Sequence, residues 1–374
     1  MKVLIAPDKF KGTLTSVEAA EAIRRGVLAR WPGASCTVVP IADGGEGTLE
    51  ALWADGARRV RARVRGPRDE EVDADWVLRP DGTAVLESAR ACGLALVAPG
   101  PSPASSLSCH SFGVGQLICA ALDAGARRIV VGLGGSACTD GGSGALRALG
   151  AEVRGGDGRP VDLGGGALGS AATLGLASLD PRLRETEIVV ATDVTAPLTG
   201  PAGAVRLFAP QKGADAAAVA VLEDGLRHWG ELLVRAGHAV DFPGAGAAGG
   251  LGAGLMAASP RARVRAGFAL VEEQHRLPEL IARHDLVITG EGSLDEQSRQ
   301  GKGPWRVAEL ARRAGVSVLI VAGRVSPPPQ RWRRPGLEVV SLTDVAGSAE
   351  AAQGDPVRWI AEALRGFTWP GEIF

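Results

Sequence analysis

The sequence predicts an α/β protein in which a second domain is inserted into the first. Short apolar runs alternate with helical patterns over most of the 374 residues, which is typical of parallel sheets with helices on both faces. Residues 58–88 break this alternation, since their alternating polarity and two turns predict a meander of two or three strands. The alternation resumes near residue 285. We therefore expect one domain from residues 1–60 and 285–374, and an inserted α/β domain from about residue 61 to 284.

The individual elements follow from the apolar runs taken in chain order. The run at residues 2–6 predicts a buried strand, and Thr15 with Glu18 forms a capping box that begins a helix. A second helix fits residues 111–124, and part of the region 105–135 could belong to either domain. The other predicted strands of the β–α alternation lie at residues 36–42, 128–133, 187–194, 285–292, 316–323 and 337–345.

Composition excludes several classes of protein. The formal net charge is −1, so no general basic field exists to hold nucleic acid or a membrane surface. The five cysteines are odd in number and form no C-x-x-C pair, which indicates reduced thiols rather than a disulfide framework or a zinc site. No signal peptide or membrane-length apolar run is present. We expect a cytoplasmic protein.

Charged residues collect where the predicted strands end. Ligands of parallel α/β sheets bind at the carboxyl ends of the strands. A single acid there is usually a helix cap, but five such places in one chain predict a cleft for a charged ligand. The residues concerned are Asp8 with Lys9 and Lys11, Asp43 and Glu46, the stretch 132–144, Asp193, and Glu291 with Asp295.

The stretch "GLGGSACTDGGSG" at residues 132–144 is the richest of these places. Its end resembles "DGGEG" at residues 43–47, and both can be a turn that feeds a helix N-terminus, where free N–H groups favour an anion. "GLGGSA" also satisfies G-x-G-x-x-A, so a dinucleotide-binding oxidoreductase is an alternative. A tight strand-to-helix turn without any ligand is a third interpretation.

Carboxylates for Mg²⁺, lysines for phosphates and glycine loops are together the parts of a phosphoryl-transfer site. From the residues alone we therefore infer a kinase of a small anionic alcohol. The alternatives from other classes are the oxidoreductase and a non-catalytic sensor of small acids.

Seven motifs, taken together, resemble the bacterial glycerate kinase family, type I. They keep the order and approximate spacing of that family over nearly the whole chain. The motifs are "IAPDKFKGTLT" (5–15), "PIADGGEGT" (40–48), "GLGGSACTDGGSGALRALGAE" (132–152), "ATDVTAPLTGPAGA" (191–204), "FAPQKGA" (208–214), "PGAGAAGGLGAGL" (243–255) and "DLVITGEGSLDEQSRQGKGP" (285–304).

The resemblance implies ATP-dependent phosphorylation of glycerate with Mg²⁺, giving 2-phosphoglycerate or, alternatively, the 3-phosphate. It also implies a flavodoxin-like domain that carries an inserted α/β domain. Six positions depart from the family pattern: Lys9 replaces Ser, Thr139 and Ala196 replace Asn, Gln116 replaces Glu, Glu296 replaces Gly and Ser298 replaces Thr. The changes at Lys9, Thr139 and Ala196 concern substrate preference more than reaction class. The acceptor hydroxyl, the nucleotide preference, the domain that binds ATP and the choice between monomer and homodimer stay open.

Roles for individual residues follow from the motifs. We expect Asp193 to be the catalytic base, with Asp43 and Asp8 as rivals, and Lys11 or Lys212 to neutralise the transferred phosphate. Glu291 and Asp295 are the expected Mg²⁺ ligands across a Gly-Ser turn. The residues expected to bind substrate or phosphate are Asp8, Glu46, Gly134, Gly135, Ser136, Thr139, Asp140, Gln211, Lys212 and Lys302.

Overall fold

A computed structural model describes residues 1–296, 298–300 and 303–368. The chain forms two compact units. The first contains Met1–Asp43, Glu50–Leu52 and Phe268–Phe374, and the second contains Gly44–Leu49 and Trp53–Gly267.

The unit boundaries differ from the predicted positions near residues 60 and 285. The first unit resumes at Phe268 because the helical segment before residue 285 packs within it, with Leu277 and Ile281 fully buried. The region 105–135, which sequence left open, lies in the second unit.

The strands, in chain order, are β1 (Lys2–Ile5), β2 (Ser35–Val38), β3 (Arg58–Arg65), β4 (Glu71–Leu78), β5 (Thr83–Glu87), β6 (Arg128–Gly132), β7 (Glu152–Gly155), β8 (Ala171–Gly175), β9 (Glu187–Ala191), β10 (Arg263–Arg265), β11 (Leu286–Leu294), β12 (Ser317–Val325) and β13 (Leu337–Ser341).

The α-helices are α1 (Ser16–Arg30), α2 (Thr48–Ala51), α3 (Ala89–Cys92), α4 (Pro103–Ser108), α5 (Phe112–Asp123), α6 (Ser143–Ala148), α7 (Ala204–Phe208), α8 (Ala216–Arg235), α9 (Ala247–Ala258), α10 (Gly267–His275), α11 (Leu277–Ile281), α12 (Gly303–Arg313), α13 (Leu342–Ala346), α14 (Ala349–Gly354) and α15 (Pro356–Arg365). None of the helices within these described ranges has the length and apolar character needed to cross a membrane.

The first unit is built on a parallel five-stranded sheet in the order β13-β12-β11-β1-β2. Counted within this unit, the order is 2-1-3-4-5, which is the flavodoxin-like arrangement, and its switch point lies between β1 and β11. The α/β fold with a parallel sheet is therefore confirmed. Ligands of such sheets bind in the crevice at the switch point, so the topology marks the carboxyl ends of β1 and β11.

Helix α1 covers one face of this sheet. It begins with the predicted capping box, in which Glu18 N–H donates to Thr15 Oγ1 (3.2 Å) and Thr15 N–H donates to Glu18 Oε2 (2.8 Å). Its buried stripe of Ala19, Ile23 and Val27 belongs to the same core cluster as the apolar side chains of β1, β11 and α15. This packing holds β1 and the loop that follows it in a fixed position.

The second unit contains a mixed six-stranded sheet in the order β10-β9-β6-β5-β4-β3. The predicted meander is the antiparallel part, β3-β4-β5, while β5, β6, β9 and β10 run parallel. Trp76 and Trp229 are buried in its core, with Leu117 and Ile118 of α5. The glycine-rich stretch 132–144 follows β6 at the carboxyl end of this parallel part.

Candidate functional site

A cavity of about 470 Å³ lies in the first unit at the switch point of its sheet. Six charged side chains line it: Asp8, Lys9, Lys11, Asp43, Glu291 and Arg324. All of these except Arg324 were predicted from the strand-end rule, and the structure brings them to one cavity. Lys9 was also noticed in the sequence as a departure from the family pattern.

Lys9 lies between two carboxylates of this cavity. Its Nζ is 3.4 Å from Asp43 Oδ1 and 3.6 Å from Asp8 Oδ1. Asp8 is only 7% exposed, and this burial, opposed by Lys9, raises the pKa of the carboxyl group to about 6. In this cavity the positive charge of Lys9 offsets part of the negative charge of Asp8 and Asp43. One of these carboxyl groups, that of Asp8, has a pKa of about 6.

The raised pKa of Asp8 predicts a specific pH dependence of stability. Between about pH 4 and 6 the folded state holds a proton on Asp8 that the unfolded state has lost, so stability falls as pH rises through this window. The wild-type chain should lose roughly 2–3 kcal/mol between pH 4 and 7 that Asp8→Asn does not lose. Urea unfolding of both proteins at several pH values measures this difference. Asp55→Asn, at an exposed aspartate, is the control, and parallel curves for wild type and Asp8→Asn would contradict the assignment.

The two expected Mg²⁺ ligands do not come together. The predicted Gly-Ser turn is wrong, because Gly292 and Ser293 continue β11 beside β12, with Ser293 opposite Arg324. An extended chain places the Cα atoms of Glu291 and Asp295 about 13 Å apart. Asp295 instead exchanges hydrogen bonds with Ser298 at the start of a short 3₁₀ turn. This pair does not fit one cation, and the described part of the chain shows no cluster of three or more His, Cys, Asp or Glu side chains that could hold a metal.

In the second unit, the glycine stretch lies over a buried lysine. The Nζ of Lys212 donates to the carbonyl oxygen of Cys138 (2.5 Å) and to Ser136 Oγ (3.3 Å). Lys212 is 3% exposed, and burial, the largest cause, lowers its pKa. Among the described residues no carboxylate lies within ion-pair distance of it. The loop therefore rests on a buried lysine that has no carboxylate within ion-pair distance among the described residues.

The backbone of this loop requires glycine at two positions. Gly135 has a φ of +77°, and a Cβ on Gly134 would lie 2.4 Å from the Cα of Gly45. Ser136 and Thr139 are both buried, and the Oγ1 of Thr139 makes no hydrogen bond with any described residue. The loop thus carries two buried hydroxyls, of which that of Ser136 contacts the amine of Lys212.

Asp140 has a different role from the one expected. Its fully buried carboxylate accepts hydrogen bonds from Ser111 N–H (2.9 Å) and Oγ–H (2.8 Å), from Gly142 N–H (3.1 Å) and from Gly144 N–H (3.1 Å). Three of these donors bond to Oδ2 and one to Oδ1. Asp140 therefore acts as a structural anion at the N-termini of α5 and α6.

The related motif at residues 43–47 is organised in the same way. Glu87, at the end of β5 and 1% exposed, accepts hydrogen bonds from Gly47 N–H (2.8 Å) and Leu49 N–H (3.1 Å) through Oε1. Arg90 donates to its other oxygen at 3.1 Å. Sequence reasoning missed Glu87, because only the fold brings the end of β5 to this loop. Each of the two similar glycine motifs thus receives an internal carboxylate.

The remaining expected site residues are dispersed. Asp193 is half-buried directly after β9, whereas Glu46 and Gln211 are exposed. Lys302 lies outside the described residues. The backbone around Asp193 is fixed by two hydrogen bonds, from Thr192 N–H to Arg265 O (3.0 Å) and from Val194 N–H to Thr192 Oγ1 (3.1 Å).

Comparison with known proteins decides the family. A model of the glycerate kinase family matches residues 3–368. The chain belongs to the glycerate kinase family. It is therefore a phosphotransferase by descent, and the resemblance seen in its motifs is confirmed.

Curated relatives agree with this family assignment. The chain is 43% identical to glycerate 2-kinase of Escherichia coli K12 over 364 residues, which cover 95% of this chain and 94% of the relative. It is 44% identical to glycerate kinase of Bacillus subtilis 168 over 330 residues, covering 87% and 86% of the two chains.

A solved structure also matches the fold. It comes from Salmonella typhimurium LT2, and its name, glycerate kinase 2, is itself provisional. The match has a TM-score of 0.78 at 38% identity and covers 98% of this chain and 96% of the other. This glycerate kinase family fold therefore extends over nearly the full length of both chains.

Proposed function

We propose that this enzyme transfers a phosphoryl group from ATP to D-glycerate, at the 2-hydroxyl, giving 2-phosphoglycerate. The observation that carries the proposal is the amine of Lys212, which is buried beneath a glycine loop and has no carboxylate partner in the part of the chain that the structure describes. The family of the chain restricts the reaction class, and the E. coli relative carries the name glycerate 2-kinase.

The energetics of Lys212 argue for an anionic ligand. A charge that is removed from water without a partner costs several kcal/mol. An oxyanion bound at Gly134–Ser136 would supply the missing counter-charge, and both a glycerate carboxylate and an ATP phosphate have that chemistry. The Ser136 hydroxyl accepts from Lys212, so its own proton is directed to another acceptor. The Thr139 hydroxyl makes no hydrogen bond with a described residue, so we propose it as a second O–H donor to the anion.

Positioned charge is the main requirement of phosphoryl transfer, since the reaction needs little covalent help from the protein. Mg²⁺ would arrive with the ATP phosphates, because this ion keeps several waters and uses few protein ligands. When bound, it would neutralise phosphate charge. We assign no residue of this chain to it.

We propose Asp193 as the base that accepts the proton of the glycerate hydroxyl. Asp193→Asn should lower kcat by about 10²-fold or more, the usual contribution of general-base catalysis, while ATP binding is retained. Steady-state kinetics and nucleotide titration measure the two effects. Asp241→Asn, at an exposed aspartate of the same unit, serves as the control. A near-normal kcat in Asp193→Asn together with a large loss in Asp43→Asn would move the base to Asp43.

The proposed reaction has a direct test. Purified protein with Mg²⁺-ATP and D-glycerate should release ADP, and phosphorus NMR of the product should show a phosphate on carbon 2. A phosphate on carbon 3 would show that the enzyme is a glycerate kinase that acts on the 3-hydroxyl. Absence of ADP release, with a glycerate-dependent change in NADH absorbance instead, would replace the kinase by an oxidoreductase.

A further inference from the structure

We propose that the second unit contains a further anion-binding site, built by Arg68 and Arg147, for a small molecule that carries phosphate or carboxylate groups. A cavity of about 510 Å³ lies at the turn between β3 and β4, beside the C-terminal end of α6 and the segment 160–163. None of its lining residues belongs to the site of the proposed reaction.

Arg147 is the inner cation of this cavity. It is half-buried on α6, and one of its five N–H donors, on Nη1, bonds to the carbonyl oxygen of Val161 at 2.7 Å. Within the part of the chain that the structure describes, it forms no ion pair. Burial lowers the pKa of Arg147 below the ordinary value, and the negative charges of Asp162 and Asp140 act in the opposite direction.

Arg68 is the outer cation. Its Nη1 donates to the carbonyl oxygen of Ala98 at 3.1 Å, and the guanidinium makes no ion pair with any described carboxylate. The planar fork of a guanidinium matches the geometry of a carboxylate or a phosphate. Two such forks on one cavity, each with spare donors, favour an oxyanion.

A buried histidine adds a third donor. His110 is 1% exposed, and its Nδ1 accepts from Phe112 N–H at 3.3 Å, which places the proton of the neutral ring on Nε2. That Nε2 makes no hydrogen bond with any described residue. Its nearest carboxylate oxygen, Asp69 Oδ1 at 3.4 Å, is shared with the Nη1 of Arg65 at 3.2 Å.

The acidic side chains of the cavity do not cancel its cations. Asp69 is engaged by Arg65, and Asp162 is exposed to solvent without an ion pair among the described residues. Each of the two arginines therefore has N–H donors on the cavity that no described carboxylate accepts. This pattern differs from that of a solvated surface pair, in which each cation already has its carboxylate.

Calorimetric titration at low ionic strength, with no nucleotide or glycerate present, tests the site. The probes are inorganic phosphate and malonate, used separately so that a phosphate site and a carboxylate site are distinguished. The proteins are wild type, Arg68→Gln, Arg147→Gln and Lys212→Met. Arg159→Gln, whose side chain is 86% exposed, is the matched control.

We expect at least one probe to bind the Lys212→Met protein. Each of the Arg68→Gln and Arg147→Gln substitutions should lower the affinity for that probe about tenfold or more. Arg159→Gln should bind as wild type does. Because Arg68 is exposed, Arg68→Gln decides the question even if Arg147→Gln is unfolded. Unchanged binding in Arg68→Gln, or no binding of either probe to Lys212→Met, overturns the proposal. The test is independent of whether the chain phosphorylates glycerate.

Discussion

Lys212→Met is expected to lower kcat/KM for glycerate phosphorylation by roughly 10²–10³-fold, since a positioned charge that is buried away from water is worth several kcal/mol to a phosphoryl-transfer site. The same substitution should leave the free energy of unfolding unchanged or raise it. Methionine has a similar length and removes a buried charge that has no carboxylate partner in the described structure. A variant that loses activity and keeps its stability would show that Lys212 acts in catalysis rather than in holding the fold.

Steady-state kinetics and urea unfolding measure the two quantities. Lys2→Met is the matched control, because it makes the same substitution at an exposed lysine at the start of β1. It should behave as wild type in both assays. Wild-type kcat/KM in Lys212→Met would show that the oxyanion binds elsewhere. A large loss of stability would instead show that the ammonium mainly anchors the loop through Cys138 and Ser136.

The strand-end rule was sufficient to select the carboxylates that line the cavity of the first unit. Buried strands read as continuous apolar runs, and ligands of parallel sheets bind where such strands end. Asp8, Asp43 and Glu291 follow from that rule without any knowledge of tertiary contacts. Their meeting in one cavity reflects the strand order, with β1 and β11 adjacent at the switch point.

The error at Glu291 and Asp295 has a local physical cause. Gly292 and Ser293 carry a turn signal, but β11 continues through them because β12 offers a partner strand with its own glycine. Gly323 lies close enough that a Cβ on it would be 2.6 Å from the carbonyl oxygen of Gly292. Strand pairing, which local sequence does not report, overrode the turn preference.

The glycine motifs illustrate a second limit. A sequence shows that a turn can deliver free N–H groups at a helix start, but it does not show which anion takes them. The carboxylate of Asp140 reaches Ser111, 29 residues earlier in the chain, and Glu87 reaches Gly47, 40 residues earlier. Both pairings depend on the fold of the second unit. The lysine beneath the loop was predicted from its motif to contact phosphate, and that role stays a prediction; its burial was not foreseen.

Asp140→Ala is expected to lower the free energy of unfolding by about 3–5 kcal/mol, because it removes a buried carboxylate and leaves buried donors at Ser111, Gly142 and Gly144 without their acceptor. Asp140→Asn should fall between this variant and wild type, since its amide keeps one acceptor oxygen and turns an NH₂ group toward donors. Urea unfolding measures all three, with Asp162→Ala, at an exposed aspartate, as the control. If Asp140→Ala were as stable as wild type and lost only glycerate affinity, the carboxylate would belong to ligand binding after all, and the hydrogen bonds that it accepts would not be what holds α5 and α6 in place.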